Sequence, residues 1–424
     1  MLLNQPIFYY KLIRQKFLNS YLAEDNSQVI IGIDCDYIDS KKHDLNDLMV
    51  YFNTNSRTDA PFAGLFGVFG YEGVQYFERV GEANLSQYDF TKFIYANANA
   101  YLHFDKMSKI YTFYGDKEKY YNFLENLNDV APKKDEFWYQ ISTDLDDEEE
   151  HFKRIVTKAK EYIRSGDIFQ VVLSEQLKLR TNMDSLSFYE ALSKLNPSPY
   201  MFHFPTPYGD IAGSSPELVF EMKNSQIFVA PIAGTRPRGK DANEDFNLQN
   251  ELLSDQKELA EHKMLIDLAR NDIGRVAKPK SVAVKNAMHV QFFESVMHIV
   301  SDVYGQKRDE ASVFDVIASI FPAGTLSGTP KIRAMQIISE LEKFKRNAYG
   351  GGIGFLNFNQ NAMMAILIRS AFFVPNGDEN DVFIQSGAGI VFDSNPESEY
   401  AEICHKRASV LKVFEKNCNN KGNR

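Results

Sequence analysis

An α+β fold is what this 424-residue sequence predicts, and three observations predict it. Strand-like runs recur along the chain and are interrupted by helical stretches. The helices arrive without the regular strand–helix–strand beat that builds a parallel sheet. Upstream, short runs such as AYLHF and KIYTFYG sit among Gly, Asn and Asp turns, as antiparallel strands do.

Each element follows from its local pattern. DEEEHFKRIVTKAKEYIRSGD reads as a helix: its first turn is acidic, Phe152, Ile155, Val156, Ala159 and Ile163 form one apolar stripe, and Gly166 stands just past its end. FQVVLSEQLKL, IAGSSPELVFEM, QIFVAPIAGT and VFIQSGAGIVF read as strands. One long helix is expected from about Glu244 to Ala269, and others near 311–320, 330–343 and 397–414. Acidic residues crowd the stretch 132–150, where a boundary is expected between a strand-rich region, 1–145, and a larger region, 146–424.

Composition excludes several classes. Hydrophobic residues at 44% and charged residues at 25% are globular values. A net charge of −10 lacks the basic footprint that nucleic acid requires. No apolar run is long enough for a membrane span, and the N-terminus does not read as a signal peptide. The three cysteines, Cys35, Cys404 and Cys418, are far apart and odd in number, which points to a reducing compartment and a cytoplasmic protein.

Gly234 to Lys240 (GTRPRGK) imitates a phosphate-binding loop and fails as one, because Asp241 replaces the required Ser/Thr and Pro237 removes a cradling N–H. Two acid pairs carry more. Glu258 and Glu261 are three apart on a predicted helix, and Glu399 and Glu402 repeat that spacing after Asn395 and Pro396, an N-cap and a first helical residue. Any one such pair is ordinarily a solvated helix face. Four carboxylates brought together, without His or Cys, would make a hard oxygen site suited to magnesium. Gly387-Ala388-Gly389 could expose successive N–H groups to a carboxylate. Singly, Glu217, His298, Tyr349 and Arg369 have plain structural readings.

Taken in order, GDIFQVVLS, GSSPELV, PIAGTRPRG, KELAEHKMLIDLARNDIGR, VMHIVS, FPAGTLSGTPK, YGGGIG and QSGAGIV followed by PESEYAE resemble the chorismate-utilising enzyme family over about residues 150–415. PFAGLFGVFGYEGVQYFE extends the likeness upstream. The resemblance implies two packed antiparallel sheets with helices outside. It implies Mg²⁺ held directly by Glu261 and Glu402, with Glu258 and Glu399 acting through water. Gly387, Ala388 and Gly389 would cradle one carboxylate of chorismate, and Tyr349 and Arg369 the other. Gly234, Thr235, Thr325 and Lys406 would line the ring edge. Glu217 is the implied acid for the leaving hydroxyl, and His298 the group that takes or positions the later proton.

Branch identity within the family turns on few positions. Members that add water carry a lysine base where this chain has Gln170 in GDIFQVV. Aminodeoxychorismate synthases carry a nucleophilic lysine where it has Ala233, and alanine can form no covalent intermediate. The resemblance therefore implies amination of chorismate by ammonia with loss of pyruvate, the opening step of tryptophan synthesis. Amination with pyruvate retained is the alternative, and a non-catalytic regulatory relative is another. No cysteine lies in a nucleophile-elbow context with a later His and Glu, so a separate glutamine amidotransferase subunit is the expected ammonia source. Asn196 to Phe202 resembles the family's tryptophan-pocket segment, making Pro199, Tyr200 and Met201 candidate inhibitor contacts. The Leu-Leu-Glu-Ser element that accompanies it in the family has no clean counterpart; the nearest stretch is Tyr21 to Asp25.

Overall fold

The computed structural model describes residues 4–55, 57, 59–81, 85–124, 136–293 and 296–422. Among them, twenty strands share one hydrogen-bonded ribbon, antiparallel except where Cys418–Asn420 runs alongside Phe137–Ile141. The ribbon doubles back on itself. One half runs from Phe137–Ile141 through Gln170–Thr181, Glu379–Ile390, Ser370–Asn376 and Gly209–Ser215 to Tyr200–Thr206. Tyr21–Glu24 pairs with both Tyr200–Thr206 and Gln28–Asp39 and forms the corner. The other half continues through Phe93–Asp105, Gly64–Phe69, Gly352–Asn357, Ala362–Ile366 and Leu218–Lys223 to Gln226–Val229 and Val296–Gln306.

The two packed sheets expected from the resemblance are thus two layers of one ribbon. Their inner faces meet through aromatic rings, Phe66 packing edge-on against Phe204 at 5.3 Å between centroids, and Tyr88, from the connection before Phe93–Asp105, stacks on Phe372 at 4.5 Å. Helices cover the outer faces. Phe188 of Ser185–Leu195 and Phe414 of Pro396–Asn417 stack at 5.1 Å and bury a second apolar cluster against Phe373.

Most predicted elements form where their patterns place them. Leu145–Arg164 starts at Asp144, whose side chain accepts from the Asp146 and Asp147 N–H groups, and Gly166 follows it at φ +82°. Its stripe of Phe152, Ile155, Val156 and Ala159 is buried; full burial of a large apolar side chain such as Phe152 contributes roughly 1.5–3 kcal/mol.

Three boundaries differ from expectation. The long helix from Glu244 is two helices, Ala242–Ser254 and Gln256–Gly274, because Asp255 turns extended and caps the second by accepting from the Lys257 and Glu258 N–H groups. The run IAGSSPELVFEM breaks between Ser215 and Leu218, and QIFVAPIAGT breaks between Val229 and Ile232. Each break holds a proline, Pro216 or Pro231, which has no N–H for the ladder. Glu217 stands in the first of these gaps.

Strands from either side of position 145 pair directly, Phe69 with Gly352 and Glu24 with Met201 among them. Part of the acidic connector, residues 132–135, lies outside the described residues. No helix of the described residues is long and apolar enough to cross a membrane, and Cys35, Cys404 and Cys418 are free.

Candidate functional site

The ladder between Gln170–Thr181 and Glu379–Ile390 sets Ser174 opposite Gly387 and Val172 opposite Gly389. Both glycines are needed for close approach. A Cβ at Gly387 would lie 2.9 Å from the Tyr349 hydroxyl, and one at Gly389 would lie 2.8 Å from Gln170 Nε2. The same Gln170 amide donates to Glu261 Oε1 at 3.1 Å, tying the Gln256–Gly274 helix to the glycine cradle. From the other side, Lys406 Nζ donates to the Gly387 carbonyl at 2.9 Å and pairs with Glu402 Oε1 at 2.6 Å. Both acid-bearing helices are therefore anchored at one end of one strand pair.

Glu217 accepts a 2.6 Å hydrogen bond from Thr325 Oγ1. Burial pushes its carboxyl up to about 7, against that hydrogen bond and against the positive charges of Lys406 and Arg369. Burial likewise presses on the Arg369 guanidinium, whose charge is favoured by Tyr349, Glu217 and Glu402. Among the described residues no carboxylate closes an ion pair with it. Its backbone is held at φ +51°, where a side chain is strained by about 1–2 kcal/mol.

Gly234 lies at φ +67°, beside a register shift against Val296–Gln306. The shift brings His298 Nδ1 within 2.9 Å of the Gly234 carbonyl and 3.1 Å of Thr235 Oγ1. A carbonyl partner requires the proton on Nδ1, leaving Nε2 as an acceptor. Burial lowers the imidazole pKa and keeps the ring neutral. His298 is thus a half-buried, neutral imidazole held against the bulge at Gly234.

The four glutamates stand in two pairs. Glu258 is raised by burial and then by the Glu261 charge; its Oε1 lies 3.6 Å from Arg236. Glu399 is raised by burial, with Ser394 opposing and Glu402 reinforcing, and it also senses Lys257 of the other helix. Among the described residues, no three carboxylates or imidazoles already stand at metal-binding spacing. The donor chemistry nonetheless fits a hard divalent cation: oxygen ligands only, with the like-charge repulsion inside each pair that such an ion relieves.

Sequence reasoning missed the support beneath the site. Arg346, 1% exposed, holds Glu342 and the carbonyls of Leu326 and Val172, and lies 4.6 Å from the Tyr71 ring. It thereby fixes the residue beside Thr325 and the strand that carries Gln170. The available signal was an acid and a base four apart, continuing past the end of the Lys331–Leu341 helix.

The tryptophan-pocket candidates lie elsewhere, at the sheet corner. Tyr200 and Met201 line a cavity of about 20 Å³ together with Ala23, Glu24, Phe66 and Phe355, and Pro199 precedes them. Glu24 is already engaged: Lys106 Nζ is 3.1 Å from its Oε2, and the Tyr189 hydroxyl donates to its Oε1 at 3.1 Å.

The chain belongs to the chorismate binding enzyme family, whose model matches residues 10–412. Its similarity within that family is to anthranilate synthase component 1. The Acetivibrio thermocellus protein of that name is 52% identical over 266 residues, 63% of this chain and 53% of its own length. The Aquifex aeolicus one is 41% identical over 372 residues, 84% of this chain and 74% of its own. The crystal structure of anthranilate synthase component I from Streptococcus pneumoniae superposes with a TM-score of 0.75 at 31% identity, covering 92% of this chain and 89% of that one.

Proposed function

We propose that the chain aminates chorismate with ammonia and eliminates pyruvate to give anthranilate, as an enzyme of the anthranilate synthase component 1 type. The observation that carries this reading is Glu217, a buried carboxyl raised to about 7 beside Thr325, near two cationic side chains that suit a dicarboxylate substrate.

In this reading Arg369 and Tyr349 hold the enolpyruvyl carboxylate, the guanidinium through a two-pronged hydrogen bond. The backbone at Gly387, Ala388 and Gly389 receives the ring carboxylate. Gly234, Thr235 and Lys406 border the ring. Glu217 protonates the C4 hydroxyl as it leaves, and its raised pKa keeps that proton available near neutrality. His298, with Nε2 free to accept, takes or positions the proton lost as pyruvate departs. Glu261 and Glu402 would hold Mg²⁺, with Glu258 and Glu399 supporting them. When bound, the ion offsets the negative charge of the ring carboxylate.

Gln170 and Ala233 support ammonia as the nucleophile, since neither can act as the lysine base or lysine nucleophile of the other branches. Neutral ammonia is scarce at neutral pH, so a glutamine amidotransferase subunit is the proposed partner. Residues 1–145 would supply one wall of the sandwich and of the corner cavity. Tryptophan is the effector the corner would be compared against. A space of about 20 Å³ has room for about one water, so an indole requires the strands to part.

The test mixes the protein with chorismate, Mg²⁺ and ammonium at alkaline pH. A fluorescent aromatic amine with one equivalent of pyruvate is expected. Amination without pyruvate would move the assignment to the aminodeoxychorismate branch, and no turnover would leave a binding protein.

A further inference from the structure

A second space reaches Glu217. A cavity of about 40 Å³ touches Glu217 and Thr325 without touching Arg369 or Tyr349, and most of its wall is carbon, from side chains such as Leu265, Leu268, Ala269 and Ala323. Leu268 and Asp272 also belong to the wall of an outer groove of about 670 Å³, bordered by the Gln256–Gly274, Val313–Ile320 and Lys331–Leu341 helices. The two spaces share that wall. The inner one is sized for about two or three waters and is far too small for chorismate. Apart from Glu217, Asp272 and Thr325 its wall is apolar, and Asp272 is already paired with Lys331, so small neutral molecules suit it better than ions. At the shared wall Lys331 Nζ, which also donates to the Ile320 carbonyl at 2.8 Å, neutralises Asp272 through Oδ2 at 2.5 Å.

We propose that this cavity is the water port of the reaction, through which water formed from the C4 hydroxyl leaves Glu217 past Leu268 and Asp272 into the groove. The inference rests on the functional reading above. As the C4–O bond breaks, its electron pair goes to oxygen and Glu217 supplies the proton, so one water appears against the Glu217 carboxylate. The proton returns to Glu217 from the ammonia nitrogen, which becomes cationic on bonding to carbon. One chorismate and one ammonia thus give one anthranilate, one pyruvate and one water. Neither Arg369 nor Tyr349 lines the cavity, so the port lets water depart without their moving.

Ala269, 6% exposed, is the place to fill the cavity, and Leu268 the place to widen its mouth. With ammonium as the nitrogen source, Ala269→Leu should lower kcat about tenfold or more, leave the KM for chorismate unchanged and leave the melting temperature undiminished. Leu268→Ala should keep the wild-type kcat. A folded Ala269→Leu protein that turns over at the wild-type rate overturns the port, as does a Leu268→Ala kcat that falls with Ala269→Leu. If Ala269→Leu fails to fold, a high-resolution crystal structure of the unaltered chain decides. Ordered water within hydrogen-bond distance of a Glu217 carboxylate oxygen is expected in the cavity, and a dry cavity overturns the inference. A wild-type protein that makes no anthranilate removes the functional reading itself; an active wild type beside an indifferent Ala269→Leu removes only the port.

Discussion

Two regions of the molecule gather side chains from distant parts of the chain, and they treat charge in opposite ways. Around the glycine cradle, among the described residues, Glu217 is buried without an ion-pair partner and Arg369 has no carboxylate closed upon it; the two glutamate pairs repel internally even though Lys406 pairs with Glu402 and Arg236 lies 3.6 Å from Glu258. At the sheet corner, Glu24 is satisfied by Lys106 and Tyr189. Nearby, His203 sits at 0% exposure between the Tyr10 hydroxyl at 2.6 Å and Ser185 Oγ at 2.9 Å. Charge left unneutralised in a buried place costs stability, and a fold keeps it where a ligand will complete it. In the proposed reading the first region awaits a dianionic substrate and a cation, whereas the second already satisfies its own charge.

The largest effect should come from the acid. Glu217→Gln keeps an acceptor for Thr325 and removes the proton donor, and should lower kcat by about a hundred- to ten-thousand-fold with little change in KM. The same variant should melt higher than wild type at pH 8. A carboxyl raised from about 4.5 to about 7 favours the fold below pH 4.5, and that contribution is lost as pH rises through about 7, a term of roughly 3 kcal/mol at most. An active Glu217→Gln enzyme would end the contrast between the two regions.

Glu402→Gln comes next. Loss of one proposed Mg²⁺ ligand should raise the Mg²⁺ concentration for half-maximal rate, or lower the rate at fixed Mg²⁺, by roughly 10–100-fold or more; titration with MgCl₂ reads it. Thr325→Val acts more finely. Its hydrogen bond favours the Glu217 carboxylate, so removal should move the alkaline fall of kcat/KM, expected near pH 7, upward by up to about one unit.

The corner supplies the smaller effects. Burial holds His203 neutral, well below its ordinary pKa. Its contribution to stability should be complete above about pH 6.5 and lost as pH falls below that, by no more than about 1.4 kcal/mol per unit. His203→Gln should flatten this part of the melting profile between pH 6.5 and 5. Last, millimolar tryptophan should change the rate of anthranilate formation by less than about twofold, because among the described residues of the corner no ammonium-binding carboxylate and no indole-sized space stand open. Strong inhibition would show that the corner, too, is built to open.

How much of this was legible varies by the kind of physics involved. The helix starting at Leu145 was readable because acids, stripe and terminal glycine all lie within one stretch. So was the phase that puts Glu399 and Glu402 on one face. The break at Asp255 was local too, yet Ser-Asp before QKE was outweighed by the apolar pattern running through it. For Arg346 the neighbouring sequence shows only the pairing with Glu342, since its carbonyl partners Leu326 and Val172 are 20 and 174 residues away. The same holds for Glu24 and Lys106, which meet only because Gln28–Asp39 pairs with Phe93–Asp105.

Which donors exist and how they are phased is written in the order of the residues: carboxylates three apart on helices, glycines at 387 and 389, Gln170 and Ala233 where a lysine would change the chemistry. Covalent structure and the 3.6-residue helical period settle those matters within a few neighbouring residues. That Glu217 holds its proton near neutrality while Glu24 is paired off came with folding. Desolvation and ion pairing belong to the surroundings of a group, and those surroundings are assembled from segments the chain order keeps far apart.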